Sequence, residues 1–181
     1  EHRGGCSADR DSGDGAGIMT ALPHELLKSW FTENNLTMPP QEQWAVGMVF
    51  LPQDSATAAE CRAHVEEVVR GESLTIIGWR EVPVRPEVLG VQARANQPRI
   101  EQIFVTSDTG LEGDELDRKL YVARSRVGKK LAEDFYICSF SCRTIVYKGM
   151  VRSSVLGEFY LDLKNPIYQS AFAVYHRRFS T

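Results

Sequence analysis

Apolar residues in the first third of the chain form strand-like runs and helical stripes that are separated by polar turns. The run from Ala16 to Leu22 predicts a short strand that enters a helix, with Pro23 in the first turn of that helix. The helix is expected to end near Asn34, because two asparagines and then two prolines follow. The next run, Trp44 to Leu51, predicts a second strand.

The next segments predict a helix and a strand, followed by an irregular surface excursion. Ser55 is a candidate N-cap for the helix, and Gly71 occupies the position expected of a left-handed terminating residue. Leu74 to Val82 predicts the strand. PEVLGVQARANQPRI has proline near both ends and little periodicity, which favours a surface excursion.

The second half of the chain predicts one long helix and several strands. Ile100 to Thr106 reads as a strand, and Asp114 to Asp134 carries an apolar stripe opposite a charged face, which is typical of an amphipathic helix. FYICSFSCRTIVYKGMV predicts at least two adjacent strands. Leu156 to Asn165 is mixed, and Ser170 to Arg177 predicts a final strand. With no internal repeat or linker, the pattern predicts one α+β domain over residues 1–181.

Composition and charge argue against several classes of partner and location. The net charge is -3, and the 21 basic residues are dispersed along the chain, which argues against a nucleic-acid partner. No apolar run approaches the roughly 18 residues that span a bilayer, and the first residues lack the pattern of a signal peptide. We therefore expect a soluble cytosolic protein with no membrane partner, whose four cysteines are reduced. The start at Glu1 within a polar turn sequence, and the end directly after a strand-like run, suggest a fragment.

Three glycines near the start, Gly13, Gly15 and Gly17, invite comparison with a dinucleotide-binding loop. That loop needs a strand before it and a helix that begins within it. Here polar residues precede the glycines and a strand-like run follows them, so we expect a tight turn with positive φ and no dinucleotide cofactor.

Neither the cysteines nor the histidines form a metal or catalytic pattern. Cys138 and Cys142 lie four apart in a strand-like run, which would place them on one face, but no second pair stands at zinc-site spacing. With Cys61 they are expected to be buried structural thiols. The histidines are isolated in sequence and are expected to be packing or surface residues; they are His2, His24, His64 and His176. No metal ligands are predicted.

The C-terminal HRRFST carries two adjacent arginines at the end of a predicted strand. A guanidinium presents a planar fork that matches a carboxylate. Arginines at strand ends are also common on surfaces, so the residues alone leave both roles open.

Several segments together resemble one family. HRG followed by SGDGAGI is similar to the start-side signature of class II glutamine amidotransferases of the glutamate synthase type. The segments GWREVPV, QPRIEQIFV, DFYICSFSCRTIVYKGMV and LGEFYLDLKNPIYQSAFAVYHRRFST resemble successive parts of that domain, so the resemblance covers essentially the whole chain. Sugar- and purine-pathway amidotransferases share mainly the first and last of these motifs.

The resemblance implies a fold and a reaction. The fold is the four-layer αββα sandwich of the N-terminal-nucleophile hydrolases, here incomplete at both ends. The reaction is hydrolysis of L-glutamine by an N-terminal cysteine that uses its own α-amine as base. The released ammonia passes to a flavin-binding synthase domain for reductive transfer to 2-oxoglutarate. No cofactor is implied in this domain, whereas FMN and a 3Fe-4S cluster are implied in the parent, with ferredoxin or a nicotinamide-dependent subunit as electron donor. A plant or algal parent would be plastidic.

The resemblance also implies site residues. Arg178 matches the arginine that holds the α-carboxylate of glutamine, and Phe179 and Thr181 match its neighbours in the pocket. Arg3 and Gly4 match the stretch beside the nucleophile. The nucleophile is expected upstream of Glu1, and the oxyanion Asn-Gly pair is expected downstream of Thr181, so residues 1–181 alone are expected to be inactive. The alternative is a non-catalytic ligand-binding or scaffold module that keeps the amidotransferase fold.

Overall fold

A computed structural model describes residues 12–128, 132 and 135–177. It confirms a mixture of helices with antiparallel sheets. Contacts divide the chain into two compact units. Unit 1 comprises Glu1–Trp30, Val82–Gln97 and Val146–Thr181, and unit 2 comprises Phe31–Glu81 and Pro98–Ile145.

The described elements are seven strands, five α-helices and two 3-10 turns. In chain order they are β1 (Ser12–Ala21), α1 (His24–Glu33), β2 (Trp44–Leu51), α2 (Ser55–Gly71), β3 (Leu74–Glu81), a 3-10 turn (Pro86–Val88), α3 (Val91–Ala95), β4 (Arg99–Ser107), α4 (Gly113–Val127), β5 (Tyr136–Ser141), β6 (Thr144–Val151), α5 (Ser153–Phe159), a 3-10 turn (Leu161–Lys164) and β7 (Ala173–His176). The predictions for α1, β2, β3 and the β5–β6 pair are thereby confirmed to within a residue or two.

Unit 2 is built around a four-stranded sheet in the order β3-β4-β2-β5, in which every neighbouring pair is antiparallel. The apolar side chains of α2 and α4 pack with this sheet in one core, which includes Val65, Leu120 and Ile103 with no exposed surface. Full burial of such a side chain stabilises the fold by about 1.5–3 kcal/mol. The helical stripe and the strand runs therefore meet in a single core.

The ends of α2 differ from the prediction. Asp54, and not Ser55, caps the helix: its Oδ2 atom accepts hydrogen bonds from the backbone N of Thr57 at 2.8 Å and from the Thr57 hydroxyl at 2.7 Å. A carboxylate in this position satisfies donors that the first helical turn leaves open. Gly71 remains helical, and the residue with positive φ is Ser73, at 59°.

Helix α4 is shorter than predicted. It ends at Val127, because Gly128 takes a φ of 75° that glycine adopts without a steric penalty. The prediction of a helix as far as Asp134 was therefore wrong. Lys119 and Arg126 of α4 form ion pairs with Glu72, whose side chain is almost fully buried, and Lys119 approaches it at 2.8 Å. The hydrogen bond from Lys119 is the main cause that lowers the pKa of Glu72.

Unit 1 contains the three-stranded sheet β6-β1-β7. The glycine cluster lies inside β1, so the predicted tight turn was wrong, although Gly15 does have a positive φ of 118°. The segment predicted as an irregular excursion contains a 3-10 turn and α3. The Arg94 side chain of α3 holds that turn by donating to the carbonyls of Pro86 at 3.1 Å and Glu87 at 2.8 Å.

No helix in the described ranges is long and apolar enough to cross a membrane.

Candidate functional site

The site residues predicted from the resemblance fall outside the part of the chain that the structure describes. They are Arg3, Gly4, Arg178, Phe179 and Thr181. The described elements nearest to them in sequence are β1, which begins at Ser12, and β7, which ends at His176 two residues before Arg178. These two strands are neighbours in the sheet of unit 1. Strand β7 is therefore the described element that comes immediately before the C-terminal predicted residues in sequence.

Strand β7 pairs antiparallel with β1 in a defined register. Thr20 lies opposite Ala173, and Gly17 lies opposite His176. Because side chains alternate along a strand, Gly17 and His176 occupy one face of the pair, while Ile18, Thr20 and Ala173 occupy the other. The two faces carry different chemistry.

The first face has a close contact at Gly17. A Cβ atom placed on Gly17 would lie 2.5 Å from Cε1 and 3.0 Å from Nε2 of His176, and 3.0 Å from Cβ of Lys148 on β6. Real Cβ atoms essentially never approach other heavy atoms more closely than 3.0 Å. Gly17 is buried, and the imidazole of His176 occupies the space that a side chain would need. A side chain at position 17 would therefore require this imidazole, which is exposed, to move.

A short segment before β7 ties that strand to the end of β1. The backbone N of Ala21 donates to Oγ of Ser170 at 3.0 Å, and the Ser170 hydroxyl donates to the carbonyl of Phe172 at 2.6 Å. The hydroxyls of Thr20 and Tyr168 are 2.6 Å apart. We call Thr20, Tyr168 and Ser170 the β7 anchor. Burial raises the pKa of Tyr168 to about 12, so its hydroxyl stays protonated and available as a donor at neutral pH.

The segment FYLDLKNP contacts strand β6 before the chain reaches Tyr168 and Ser170 of the β7 anchor. The Tyr160 hydroxyl donates to the carbonyl of Lys148 at 2.7 Å, and the Tyr147 hydroxyl donates to the buried carboxyl of Asp162 at 3.1 Å. The rings of Tyr147 and Tyr160 meet edge to face with centroids 5.1 Å apart, and the ring of Tyr168 lies 6.1 Å from that of Tyr147. These contacts connect β6 to the chain that enters β7.

A cleft of about 530 Å³ opens on the second face of the β1–β7 pair. Its lining is apolar apart from the hydroxyls of Thr20, Tyr168 and Ser170. None of the lining side chains carries a charge, so the cleft offers no ion-pair partner for a carboxylate ligand. Its walls are formed by Ile18, Thr20, Leu156, Gly157, Leu163, Tyr168, Ser170, Phe172 and Ala173. The cleft does not have the chemistry of an amino-acid site.

The described cysteines, Cys61, Cys138 and Cys142, are buried and form no disulfide. Cys142 lies in the turn after β5, so the prediction that it shares a strand face with Cys138 was wrong. Its Sγ atom donates to the Gly113 carbonyl at 3.4 Å, and its backbone N donates to Oδ1 of Asp117 at 2.8 Å. Burial, reinforced by the charge of Asp117, raises the pKa of Cys142 to about 12, and burial also raises the pKa of Cys61. A thiol with so high a pKa is a poor nucleophile.

The described histidines play different roles. His24 begins α1, and burial lowers its pKa, whereas His64 lies within α2. His176 was predicted as a packing or surface residue, and sequence spacing gave no indication of its contact with Gly17, 159 positions away. Within the described ranges, no group of three or more His, Cys, Asp or Glu side chains is arranged to hold a metal ion.

Comparison with known proteins places these features in context. The family of class-II glutamine amidotransferases matches residues 1–181. The chain is 71% identical over 181 residues to ferredoxin-dependent glutamate synthase 2 of Synechocystis sp., and 46% identical over 186 residues to the chloroplastic ferredoxin-dependent glutamate synthase of Oryza sativa. It is 41% identical over 185 residues to the large chain of the NADPH glutamate synthase of Azospirillum brasilense. These alignments cover 99–100% of the chain but only 12% of each relative.

Proposed function

Because the chain belongs to the class-II glutamine amidotransferases, we propose that it is part of the glutaminase domain of a glutamate synthase. The parent would hydrolyse L-glutamine to glutamate and ammonia and transfer that ammonia reductively to 2-oxoglutarate. The observation that carries the proposal is the match along the whole chain to relatives named glutamate synthase. The four-layer sandwich of the N-terminal-nucleophile hydrolases is part of the proposal, and the two antiparallel sheets with their helices support it.

The proposed chemistry is acyl transfer to a cysteine that precedes Glu1 in the parent. The thiol gives its proton to the α-amine, and its sulfur attacks the side-chain amide carbon of glutamine; the amide nitrogen takes up that proton and leaves as ammonia. Water then hydrolyses the thioester to glutamate and regenerates the thiol. Arg178 holds the α-carboxylate of glutamine through two parallel hydrogen bonds, with Phe179 and Thr181 beside it in the pocket. Arg3 and Gly4 position the nucleophile. The assignment of Arg178 rests on the resemblance of the HRRFST segment to the family's motif, and Arg178 itself lies outside the described residues.

The groups that perform the reductive step belong elsewhere in the parent. FMN and a 3Fe-4S cluster would supply electron transfer to the adduct of ammonia and 2-oxoglutarate. The described cysteines do not suit the cluster, since no group of three or more His, Cys, Asp or Glu side chains among the described residues is placed to hold a metal ion. We therefore assign both cofactors to the flavin-binding synthase domain, supplied with electrons by ferredoxin or a nicotinamide-dependent subunit. The parent would act in the cytoplasm or in a plastid.

The test of this proposal is replacement of Arg178 in the full-length protein. Charge-assisted hydrogen bonds contribute about 1.5–3 kcal/mol each, so Arg178→Ala should lower kcat/KM for glutamine by roughly ten- to several-hundred-fold. The contact exists before and throughout acyl transfer, so the loss should appear mainly as a higher KM. Arg178→Lys should recover little of it, because an ammonium cannot copy the planar fork.

Glutamate formation from externally supplied ammonia provides the internal control, since that route does not use the glutamine pocket. An unchanged KM for glutamine in Arg178→Ala, or an equal loss of the ammonia-dependent reaction, would show that Arg178 has a structural role. Absence of any glutaminase activity in the intact parent would favour the non-catalytic module.

A further inference from the structure

We infer that Glu101 is the titrating group of a pH-sensitive device in unit 2, which loosens helix α2 from strand β4 when the carboxyl loses its proton. The proposed glutaminase reaction does not use this residue, so the inference stands independently of the proposed function. It is carried by the contrast between two buried carboxyls beside the same helix, Glu72 and Glu101.

Glu72, at the C-terminal end of α2, is a well-paired buried carboxyl. Its side chain is 4% exposed, and it accepts hydrogen bonds from both Lys119 and Arg126 of α4, with Lys119 at 2.8 Å. Such bonds favour the charged form of a carboxyl. The pKa of Glu72 is accordingly lowered, mainly by the hydrogen bond from Lys119.

Glu101 is equally buried but poorly paired. Its side chain is also 4% exposed; Nε of Arg62 on α2 lies 2.9 Å from Oε2, and a guanidinium nitrogen of Arg99 lies 3.8 Å from Oε1. In the described part of the chain, however, neither Oε2 of Glu101 nor Nε of Arg62 has a hydrogen-bond partner. A buried ion pair offsets the loss of water only when well-aligned hydrogen bonds accompany it. Burial is therefore the main cause that raises the pKa of Glu101, against the opposing effect of the two arginines.

The charges that face Glu101 come from three elements. Arg62 belongs to α2, Arg99 belongs to β4 itself, and Glu81 lies directly opposite on β3. The residue opposite on β2 is Val49, which carries no charge. A like charge directly across two strands is unfavourable. The charged form of Glu101 thus has a repelling neighbour in addition to its incomplete pairing.

The arginines keep other partners when Glu101 takes up a proton. The guanidinium of Arg62 lies 4.9 Å from the centre of the Trp79 ring on β3, which attracts a cation above its face. The side chains of Arg62 and Arg99 are 38% and 35% exposed, so both also reach water. The carboxyl of Glu101 has no such alternative. Loss of its proton therefore weakens the contact between α2 and β4, whereas uptake of the proton leaves the arginines hydrated.

The raised pKa fixes the sign of the pH dependence. Glu101 stabilises unit 2 fully below its unfolded-state pKa of about 4.3, and this effect is lost as the pH rises through the folded-state value. Glu72 has the opposite dependence, because its folded-state pKa is lowered. Acidification from neutral pH should therefore first tighten α2 through Glu101 and only then weaken its end at Glu72.

The experiment measures amide exchange of the α2 peptide in the full-length protein at several pH values and compares each variant with the unsubstituted protein at the same pH. Glu101→Gln fixes the neutral form. A buried polar group without a hydrogen bond changes an equilibrium constant by about five- to 150-fold, and the attraction of the arginines offsets part of this. We therefore expect α2 exchange at pH 7 to slow by at least about threefold, and the difference to shrink as the pH falls through the folded-state pKa of Glu101. Glu67→Gln is the matched control, because it removes an exposed carboxyl from the same helix, and it should change exchange by less than about twofold.

Two neighbouring variants separate a titrating group from a residue that only has a suitable shape. Glu81→Gln removes the repelling charge and should reduce the effect of Glu101→Gln at pH 7, whereas Arg99→Gln removes an attracting charge and should enlarge it. Faster or unchanged exchange in Glu101→Gln, a difference that stays constant with pH, or neighbour effects that are absent or reversed would overturn the inference. A Glu101→Gln protein that fails to fold would overturn it too, because the neutral residue is expected to be the more stable one. Glutamine hydrolysis enters none of these measurements, so such a failure leaves the proposed function intact.

Discussion

The β7 anchor makes a quantitative prediction about the stability of the strand that leads to Arg178. Thr20 is 3% exposed, and its hydroxyl donates to the Ala21 carbonyl at 2.8 Å, which leaves Tyr168 as the donor in the 2.6 Å contact with Thr20. Tyr168→Phe removes that donor, which costs about 1 kcal/mol. Thr20→Val deprives both Tyr168 and the Ala21 carbonyl of their partner, which costs about 1–3 kcal/mol.

These free energies convert into changes in the equilibrium constant for local opening of β7, and the rate of amide exchange changes in proportion. Since about 1.4 kcal/mol corresponds to a tenfold change in an equilibrium constant, Tyr168→Phe should speed amide exchange in β7 roughly fivefold. Thr20→Val should speed it roughly five- to 150-fold by the same conversion. The assay is hydrogen exchange of the peptide that covers residues 172–177 in the full-length protein, with a β4 peptide as internal reference. Tyr175→Phe is the matched control, because it removes a hydroxyl from a β7 residue that is 70% exposed, and it should have no effect.

The double variant decides whether the two hydroxyls act as a pair. If they do, Thr20→Val combined with Tyr168→Phe should exchange less rapidly than the product of the two single effects, with a coupling energy of about 1 kcal/mol. Strictly additive effects would refute the idea that this hydrogen bond holds β7. Equal acceleration in the β4 peptide would refute it too, since the loss would then be global.

Two further predictions concern unit 2. Cys61, Cys138 and Cys142 should resist a bulky thiol reagent in the native protein and react once denaturant is added, because all three are buried; rapid native labelling of all three would contradict this. The lowered pKa of Glu72 means that its carboxylate stabilises the fold above the unfolded-state pKa of about 4.3 and loses this effect as the pH falls through the folded-state value. Glu72→Gln should therefore speed amide exchange in the α2 and α4 peptides at pH 7, and the difference from the parent should shrink as the pH falls through the folded-state pKa. A difference that does not shrink with falling pH would show that the ion pairs with Lys119 and Arg126 are not its cause.

The elements that the sequence predicted well are those in which local pattern and burial agree. Trp44–Leu51 is a run of eight residues without a polar side chain, and it became the strand that pairs with β4 over its full length and with β5 from Val46 to Phe50. In α4, Leu116 and Leu120 were assigned to the apolar stripe, and both are fully buried. A residue that faces a core is constrained by its nearest sequence neighbours as well as by its distant contacts, so periodicity is informative there.

The errors occurred where chain direction depends on a single backbone angle or side-chain contact. Gly128 ended α4 seven residues before the predicted boundary, and the signal was present, because a glycine just after a last turn that carries basic residues, here Arg124 and Arg126, is a typical helix end. For α2, Asp54 and Ser55 are both good capping residues, and only the geometry of the preceding loop selects the aspartate. Ser73 took the positive φ expected of Gly71, which propensity alone does not anticipate.

The candidate site shows the same difference between features that adjacent residues reveal and contacts that join distant residues. The motif around Arg178 could be recognised because its residues are adjacent in sequence, whereas the contact of Gly17 with His176 joins residues at opposite ends of the chain. In sequence, Gly17 could only be interpreted as part of a glycine cluster, and His176 as an isolated histidine. The register of β1 against β7 brings the two residues opposite each other, and the imidazole lies where a side chain on Gly17 would stand. The pairing of the two strands sets such a contact between distant positions, and the local sequence around either residue does not encode it.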